Sequence, residues 1–299
     1  MSSMAATDNP APVRLPDFPK ALTSLIDESF LGAERIDSTD LIHGAYLHHF
    51  KATGGGARSK LAFRCASNLG VEYHDATCLA AAVECLHNAS LIQDDLQDGS
   101  HYRRGQASVF AEFGRDVALG LTNRLITAAF SCLSRIENSS ALPLLIRKTH
   151  EAVAETIAGQ TRELAGTKES LSLGSRISAA RQKSGPLFAL SLEFPLIMAG
   201  EEKSLVSAHE AACLFGLGYQ ILDDLKDQKA DSQNDAMGSI VLAMKAERSD
   251  PSIEQAAVQL ARSYLNDAIS NAGKLPRGAR EPMTEMIENL LLQIDAFTA

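Results

Sequence analysis

Apolar residues recur at intervals of three and four along most of the chain, the spacing that lines one face of an α-helix. The pattern is clearest in DATCLAAAVECLHNASLIQDDLQD, residues 75–98, where Leu79, Val83, Leu86 and Ser90 fall on one row. Asp75 stands where that helix would be capped. After Pro19 no proline occurs until Pro143, and the intervening run is rich in Ala and Leu. Strands would need alternating β-branched residues, so helices are predicted throughout. Breaks are predicted at Gly54 to Gly56, around Gly99 to Gly105, at Ser139 to Pro143, at Gly166 to Gly174, at Gly185 to Pro186, near Gly200 and through Asp231 to Gly238. This pattern gives about ten helices joined by short loops. Four of the ten prolines fall among the first 20 residues, so residues 1–20 are read as a flexible tail. No shift in composition divides the remainder, which is read as a single domain over 21–299.

Composition narrows the function classes. With 299 residues, 45% of them hydrophobic, the chain can bury a large core. Its formal net charge is -9, from 37 acidic and 28 basic residues, which disfavours broad attraction to nucleic acid or an anionic membrane. A small polyanionic substrate stays possible where basic residues are gathered locally. The five cysteines never form a CxxC pair, so neither a disulfide framework nor a zinc site is expected, and a reducing cytoplasmic setting fits. The first twenty residues lack the apolar stretch of a signal peptide and the several arginines of a transit peptide. No run of about 18 uninterrupted apolar residues predicts a membrane span.

Two acidic clusters share the pattern DDxxD: Asp94-Asp95-Leu96-Gln97-Asp98 and Asp223-Asp224-Leu225-Lys226-Asp227. On a helix the first and last Asp of each lie one turn apart on one face. Like charges at that spacing cost a few tenths of a kcal/mol, about the scale of helix charge pairs, and a cation would offset it. A solvated acidic turn would explain one such cluster. Both, however, follow apolar residues, Ser90-Leu91-Ile92 and Tyr219-Gln220-Ile221-Leu222, so their helices face a core where carboxylates need metal or basic partners. Hard oxygen donors without thiolate or paired His favour magnesium bridging to phosphate. No glycine interrupts either cluster, which argues against an EF-hand. Candidate phosphate partners are Arg103 and Arg104, Lys183, and Arg58 with Lys60. His87, two helical turns before Asp94, projects from nearly the same face.

Taken together, GGGARSKL, ECLHNASLIQDDLQDGSHYRRGQASVFAEFG, KSGPLF and LGYQILDDLKD resemble the polyprenyl diphosphate synthase family of class I isoprenoid synthases, which includes geranylgeranyl and farnesyl diphosphate synthases, from about Gly54 to Asp227. The resemblance implies an all-α bundle around a central apolar cavity, commonly a homodimer. It implies about two to three magnesium ions held with the substrate diphosphate. Asp94, Asp98 and Asp223 match the principal metal ligands, with Asp95, Asp224 and Asp227 completing the motifs. Arg103 and Lys183, with the adjacent Ser184, match positions that bind the allylic diphosphate; Arg104, His87 and Arg58, with Lys60 nearby, match positions for isopentenyl diphosphate. Gln220 matches a polar residue near the allylic group. The implied prenyltransferase chemistry ionises an allylic diphosphate and adds isopentenyl diphosphate to the cation, so it needs no enzyme nucleophile.

Three departures bear on that reading. Ala57 stands where the family usually has a lysine, and ADSQNDAMGSIVLAMK replaces a Gly-Lys pair, with Met237-Gly238 near its place and Lys229 or Lys245 as substitutes. Each lost cationic contact would weaken diphosphate binding by about 1 to 3 kcal/mol in a desolvated site. Ala89 and Ser90 stand where a bulky residue often stops a fifteen-carbon chain, so a geranylgeranyl product is expected first and farnesyl next. Phe110 and Phe113 are either the cavity floor or core packing. A terpene cyclase or irregular coupling enzyme on the same fold is the alternative that the lost cations suggest. A non-catalytic regulatory subunit is the third, against which six mutually repelling aspartates argue.

Overall fold

The computed structural model describes residues 18–32, 40–52, 54–164, 172–230, 239–247 and 253–298. Twelve α-helices are found among these residues, with one two-stranded hairpin. The helices are α1 (Phe18–Leu31), α2 (Leu41–Lys51), α3 (Ala57–Asn68), α4 (Tyr73–Asp98), α5 (Val109–Phe113), α6 (Arg115–Ser134), α7 (Leu142–Leu164), α8 (Leu173–Met198), α9 (Leu205–Ala230), α10 (Ile240–Glu247), α11 (Ile253–Ala272) and α12 (Arg277–Thr298). The hairpin, β1 (Tyr102–Arg103) and β2 (Gln106–Ala107), follows α4 and pairs antiparallel.

Two apolar cores meet at the long central helices. One joins α1, α2, α4 and α6; the other joins α3 and α8 with α9 to α12. α4 is buried around nearly its whole circumference: Leu79, Val83 and Leu86 are covered, and so are Ala80, Ala81 and Ala82 on its other faces. A helix enclosed in this way needs small residues wherever a neighbour crosses closely. α6 is the one described helix long and apolar enough to cross a membrane. Its inner residues Leu121, Leu125, Ala129 and Leu133 are instead buried in the first core.

Several predicted boundaries move. α4 begins at Tyr73 behind Glu72, and Asp75 does not cap it. The Asp75 carboxylate accepts the Glu137 N–H at 2.9 Å and the Asn138 N–H at 3.4 Å, tying down the corner that leads into α7. Gly185 and Pro186 do not end a helix either. α8 runs through both, because residues 185–197 are buried and surrounding packing outweighs the hydrogen bond that proline removes. Pro143 lies in the first turn of α7, where its missing N–H costs nothing. At the start of the chain, Phe18 is buried and stacked on Phe63 with ring centroids 4.0 Å apart, so the helical body takes in the last residues of the stretch read as tail. The rest of that stretch, and Asp231 to Gly238, lie outside the described residues.

The lower part of the bundle carries a buried charge set. Glu193 of α8 is 2% exposed, with Lys148 Nζ at 3.5 Å and His209 Nδ1 at 3.3 Å. A hydrogen bond with Cys213, and then Glu193, push the His209 imidazole up to about 10 from 6.5. A group raised in this way stabilises the fold fully below its unfolded value and loses that contribution as pH rises through its folded value. The wild type is therefore expected to lose unfolding free energy between about pH 6.5 and 10. Chemical denaturation across that range should show a flatter profile for His209→Gln.

Candidate active site

The ends of α4 and α9, the middle of α8 and the start of α3 converge on one mouth. α4 brings Asp94, Asp95 and Asp98 to its C-terminus, where the helix dipole adds further negative charge and increases the demand for cations. The hairpin answers it. Arg103 donates from Nε and Nη2 to both Asp95 oxygens at 2.6 to 2.9 Å, and its Nη2 lies 3.9 Å from Asp94. The two turn residues, Arg104 and Gly105, have φ of 52° and 78°, the left-handed pair that a two-residue hairpin requires. For Arg104 that conformation costs about 1 to 2 kcal/mol. Its guanidinium Nη1 donates to the Ala52 carbonyl at 3.0 Å. The group lies over Gly54, where any Cβ would collide with it. Gly54 is thus the residue of the glycine run on which Arg104 rests.

Arg58, in the first turn of α3, donates from Nη1 to His87 Nε2 at 3.3 Å and sits 5.4 Å from the Phe188 ring centroid. Burial, and then Arg58, hold the His87 pKa well below 6.5, so the imidazole is neutral and accepts from the guanidinium. Lys183 of α8 places Nζ 2.7 Å from Asp94 and 4.0 Å from Asp98. Its position depends on how closely α7 passes behind it. A Cβ on Gly159 would lie 2.7 Å from the Lys183 backbone nitrogen.

Two cavities open here. The smaller, about 330 Å³, lies between α4, α7, α8 and α9 below Asp94 and Lys183. The larger, about 800 Å³, runs from Arg58 and Arg104 between α3, α9 and α12. They share Arg58, His87, Leu91, Arg103, Ser184 and Asp223. Gln220 lines the smaller, and Lys60 and Ala57, one turn apart, line the larger. Lys60 therefore presents a cation to the cavity in which Ala57 lacks one.

The smaller cavity is mixed in character. Leu91, Ile157 and Leu187 share its wall with Ser90, Gln97, Thr156 and Gln160. Gln97 Oε1, Thr156 Oγ1, Gln160 Nε2 and Arg58 Nε are buried without a hydrogen-bond partner among the described residues. Buried polar atoms normally find partners, and these suit a hydrated, phosphate-bearing ligand. Phe110 and Phe113 line neither cavity; they pack against the first core, Phe113 edge-on to His48.

The predicted aspartates divide. Asp94 and Asp223 line the smaller cavity, and Asp98 stands beside Lys183. Asp95 is 2% exposed and spends both oxygens on Arg103. Asp224, expected to complete the metal set, is turned inward: it accepts from Gln220 Nε2, Ser239 Oγ and the Ile240 and Val241 amides. Asp227 lies on α9 with its side chain outside the described residues, as does Lys229. Lys245 is exposed on α10 and lines neither cavity. Among the described residues no three His, Cys, Asp or Glu side chains converge as a ready metal cage. The oxygen-only donors Asp94, Asp98 and Asp223, beside the unpartnered Gln97 and Thr156 oxygens, still fit magnesium, which keeps several waters and takes few protein ligands. Sequence reasoning missed Thr156 and Gln160 on α7, and Arg64, Asn289 and Gln293 along the larger cavity.

Known structures share this helical arrangement. A geranylgeranyl pyrophosphate synthetase from the archaeon Geoglobus acetivorans superposes with a TM-score of 0.78 at 22% identity, over 92% of this chain and 99% of the other. An isoprenoid synthase family member from Thermotoga neapolitana gives 0.74 at 24% identity, over 91% and 98%. The class is thus an all-α isoprenoid synthase fold. The polyprenyl synthetase family profile matches residues 39–241, and the chain belongs to that family. By sequence, a geranylgeranyl pyrophosphate synthase of Geoglobus acetivorans is 28% identical over 214 residues, 70% of this chain and 66% of the relative. A (2E,6E)-farnesyl diphosphate synthase of Mycobacterium tuberculosis is 32% identical over 174 residues, 58% and 48%. The matched region thus spans just under two thirds of the first relative and about half of the second.

Proposed function

We infer that the protein is a trans-prenyltransferase that condenses isopentenyl diphosphate with an allylic diphosphate into a medium-length prenyl diphosphate. The observation that carries this reading is the pair of unequal cavities meeting at Arg58, His87, Leu91, Arg103, Ser184 and Asp223. A condensation needs two substrates with their reacting carbons at one seam and their diphosphates apart. Lys183 and Arg103 would hold the allylic diphosphate as its carbon–oxygen bond breaks. Magnesium held by Asp94, Asp98 and Asp223 would supply further positive charge for the departing diphosphate. Leu91, Ile157 and Leu187 would shield the allylic cation from water, while Gln220 faces it with a dipole. Arg58, Arg104 and Lys60, with the neutral His87, would hold the second diphosphate. Its alkene then bonds to the cation, and loss of a proton restores a double bond.

Curated relatives range from farnesyl to nonaprenyl diphosphate synthases, so the product length proposed rests on the cavity. Ser90 lines its wall and donates to the His87 carbonyl at 2.8 Å; a small side chain there favours geranylgeranyl over farnesyl diphosphate. Ser90→Phe is expected to shorten the main product by at least one five-carbon unit, read by mass spectrometry. The reading includes a homodimer in a cytoplasmic setting. Leu119 and Phe130 on α6 and Ile146 on α7 are exposed apolar residues that a second copy would cover, which light scattering can test.

The deciding experiment supplies magnesium, isopentenyl diphosphate and, in turn, dimethylallyl, geranyl and farnesyl diphosphate, with mass analysis before and after phosphatase. Longer linear diphosphates support elongation. Pyrophosphate release with a hydrocarbon or alcohol product would move the reading to a cyclase or irregular coupling enzyme, which Ala57 at the larger cavity favours. No turnover with any primer would point to a non-catalytic subunit.

A further inference from the structure

Asp224 belongs to a metal-binding motif by its sequence, yet its carboxylate faces elsewhere. Oδ2 accepts the Ile240 N–H at 2.7 Å, the Val241 N–H at 3.4 Å and the Ser239 hydroxyl at 3.0 Å, closing the first turn of α10. Oδ1 accepts Gln220 Nε2 at 3.0 Å. Asp224 is 7% exposed, and Gln220 lies one helical turn before it on α9, in the wall of the smaller cavity. An amide has a donor end and an acceptor end, and the cavity receives whichever end the partner leaves. A carboxylate can only accept. It therefore takes the nitrogen and leaves the carbonyl oxygen, the negative end of the dipole, for the cavity.

We propose that Asp224 is a positioning residue: it fixes the Gln220 carboxamide with its carbonyl oxygen toward the allylic carbon, while its other oxygen anchors α10. This deepens the reaction proposed above and rests on it. A dipole already oriented where charge will develop contributes most because it need not reorganise during the reaction. An α9 residue that lines neither cavity would thus set the polarity of the group that does.

Asp224→Asn separates this role from a structural one. The asparagine oxygen can still accept from the α10 amides, since Asn caps helices about as well as Asp. Its NH2 group then faces Gln220, which must reverse and turn its donor end into the cavity. The expected result is a kcat about 10- to 100-fold lower, with KM for both diphosphates, magnesium dependence and thermal midpoint unchanged. Adding Gln220→Glu should restore much of the lost kcat, because a carboxylate accepts from the introduced asparagine amide and returns an oxygen to the cavity. An Asp224→Asn enzyme with unchanged kcat, with a raised magnesium requirement, or without rescue by Gln220→Glu would overturn the proposal. A second readout needs no turnover. The Gln220 side-chain amide resonance in 15N-labelled protein, assigned by its loss in Gln220→Ala, should exchange slowly in the wild type and faster in Asp224→Ala. If wild type consumes no allylic diphosphate the proposed reaction fails, and equal exchange in the two proteins would independently overturn the contact.

Discussion

Asp94→Ala is expected to lower kcat by about 10³-fold or more, on the scale of removing one preorganised electrostatic contact at a reacting centre. Asp94 lies in the wall of the smaller cavity and holds Lys183 Nζ at 2.7 Å. Losing its carboxylate would remove the proposed metal donor and the short contact with Lys183. Stability should change little, because Asp94 is partly exposed and relief of repulsion from the neighbouring carboxylates offsets the lost contact with Lys183. Single-turnover release of labelled pyrophosphate from an allylic diphosphate, beside a thermal melt, tests both halves. A variant that keeps more than a tenth of wild-type kcat would remove Asp94 from the ionisation site.

The second large effect concerns the fold as well as the reaction. Arg103→Ala strands the Asp95 carboxylate, which is 2% exposed and takes both its oxygens' hydrogen bonds from that guanidinium. Breaking a buried pair from one side costs about 3 to 5 kcal/mol, because the remaining charge keeps its desolvation penalty. Burial already pushes Asp95 above the usual carboxylate range, with Arg103 opposing it; without Arg103 the carboxyl pKa should rise further. Arg103→Lys should recover only part of the loss, since a point charge cannot reproduce the two-pronged contact. Urea denaturation of both variants, with Arg103→Ala/Asp95→Asn as the relieving double variant, checks the assignment. If the double variant is no more stable than Arg103→Ala, the stranded charge is not the cause.

These residues also show what a single sequence makes legible. Helical spacing singled out the acidic clusters, and the resemblance singled out Arg58, His87, Arg103 and Lys183; Asp94, Asp223 and these four do line adjoining cavities. Asp224 could not be placed in the same way. Its partners, Gln220 and the first turn of α10, depend on where the chain returns after the second cluster, and spacing within the motif carries no record of that return. Gly185-Pro186 misled for a related reason. Local propensity predicts a break, but a segment buried on every side remains helical when its neighbours pack well. The α12 wall of the larger cavity has no motif, because Asn289 and Gln293 are common surface residues until α3 faces them. Gly159 reads as a weak point in a helix until the backbone of Lys183 is seen 2.7 Å from its missing side chain.

One tie far from the mouth braces the walls of the smaller cavity. Asp75, in the first turn of α4, holds the Glu137 and Asn138 amides about 28 Å from Asp94 along the helix axis, at 1.5 Å per residue. At its other end the same helix is locked through Asp95 to the hairpin. The corner it secures feeds directly into α7, the opposite wall. Neither wall can slip lengthwise against the other without breaking a buried contact. On the proposed reaction the cavity would act as a rigid gauge, the chain length it admits set by which rung along the α4 and α7 walls carries a large side chain.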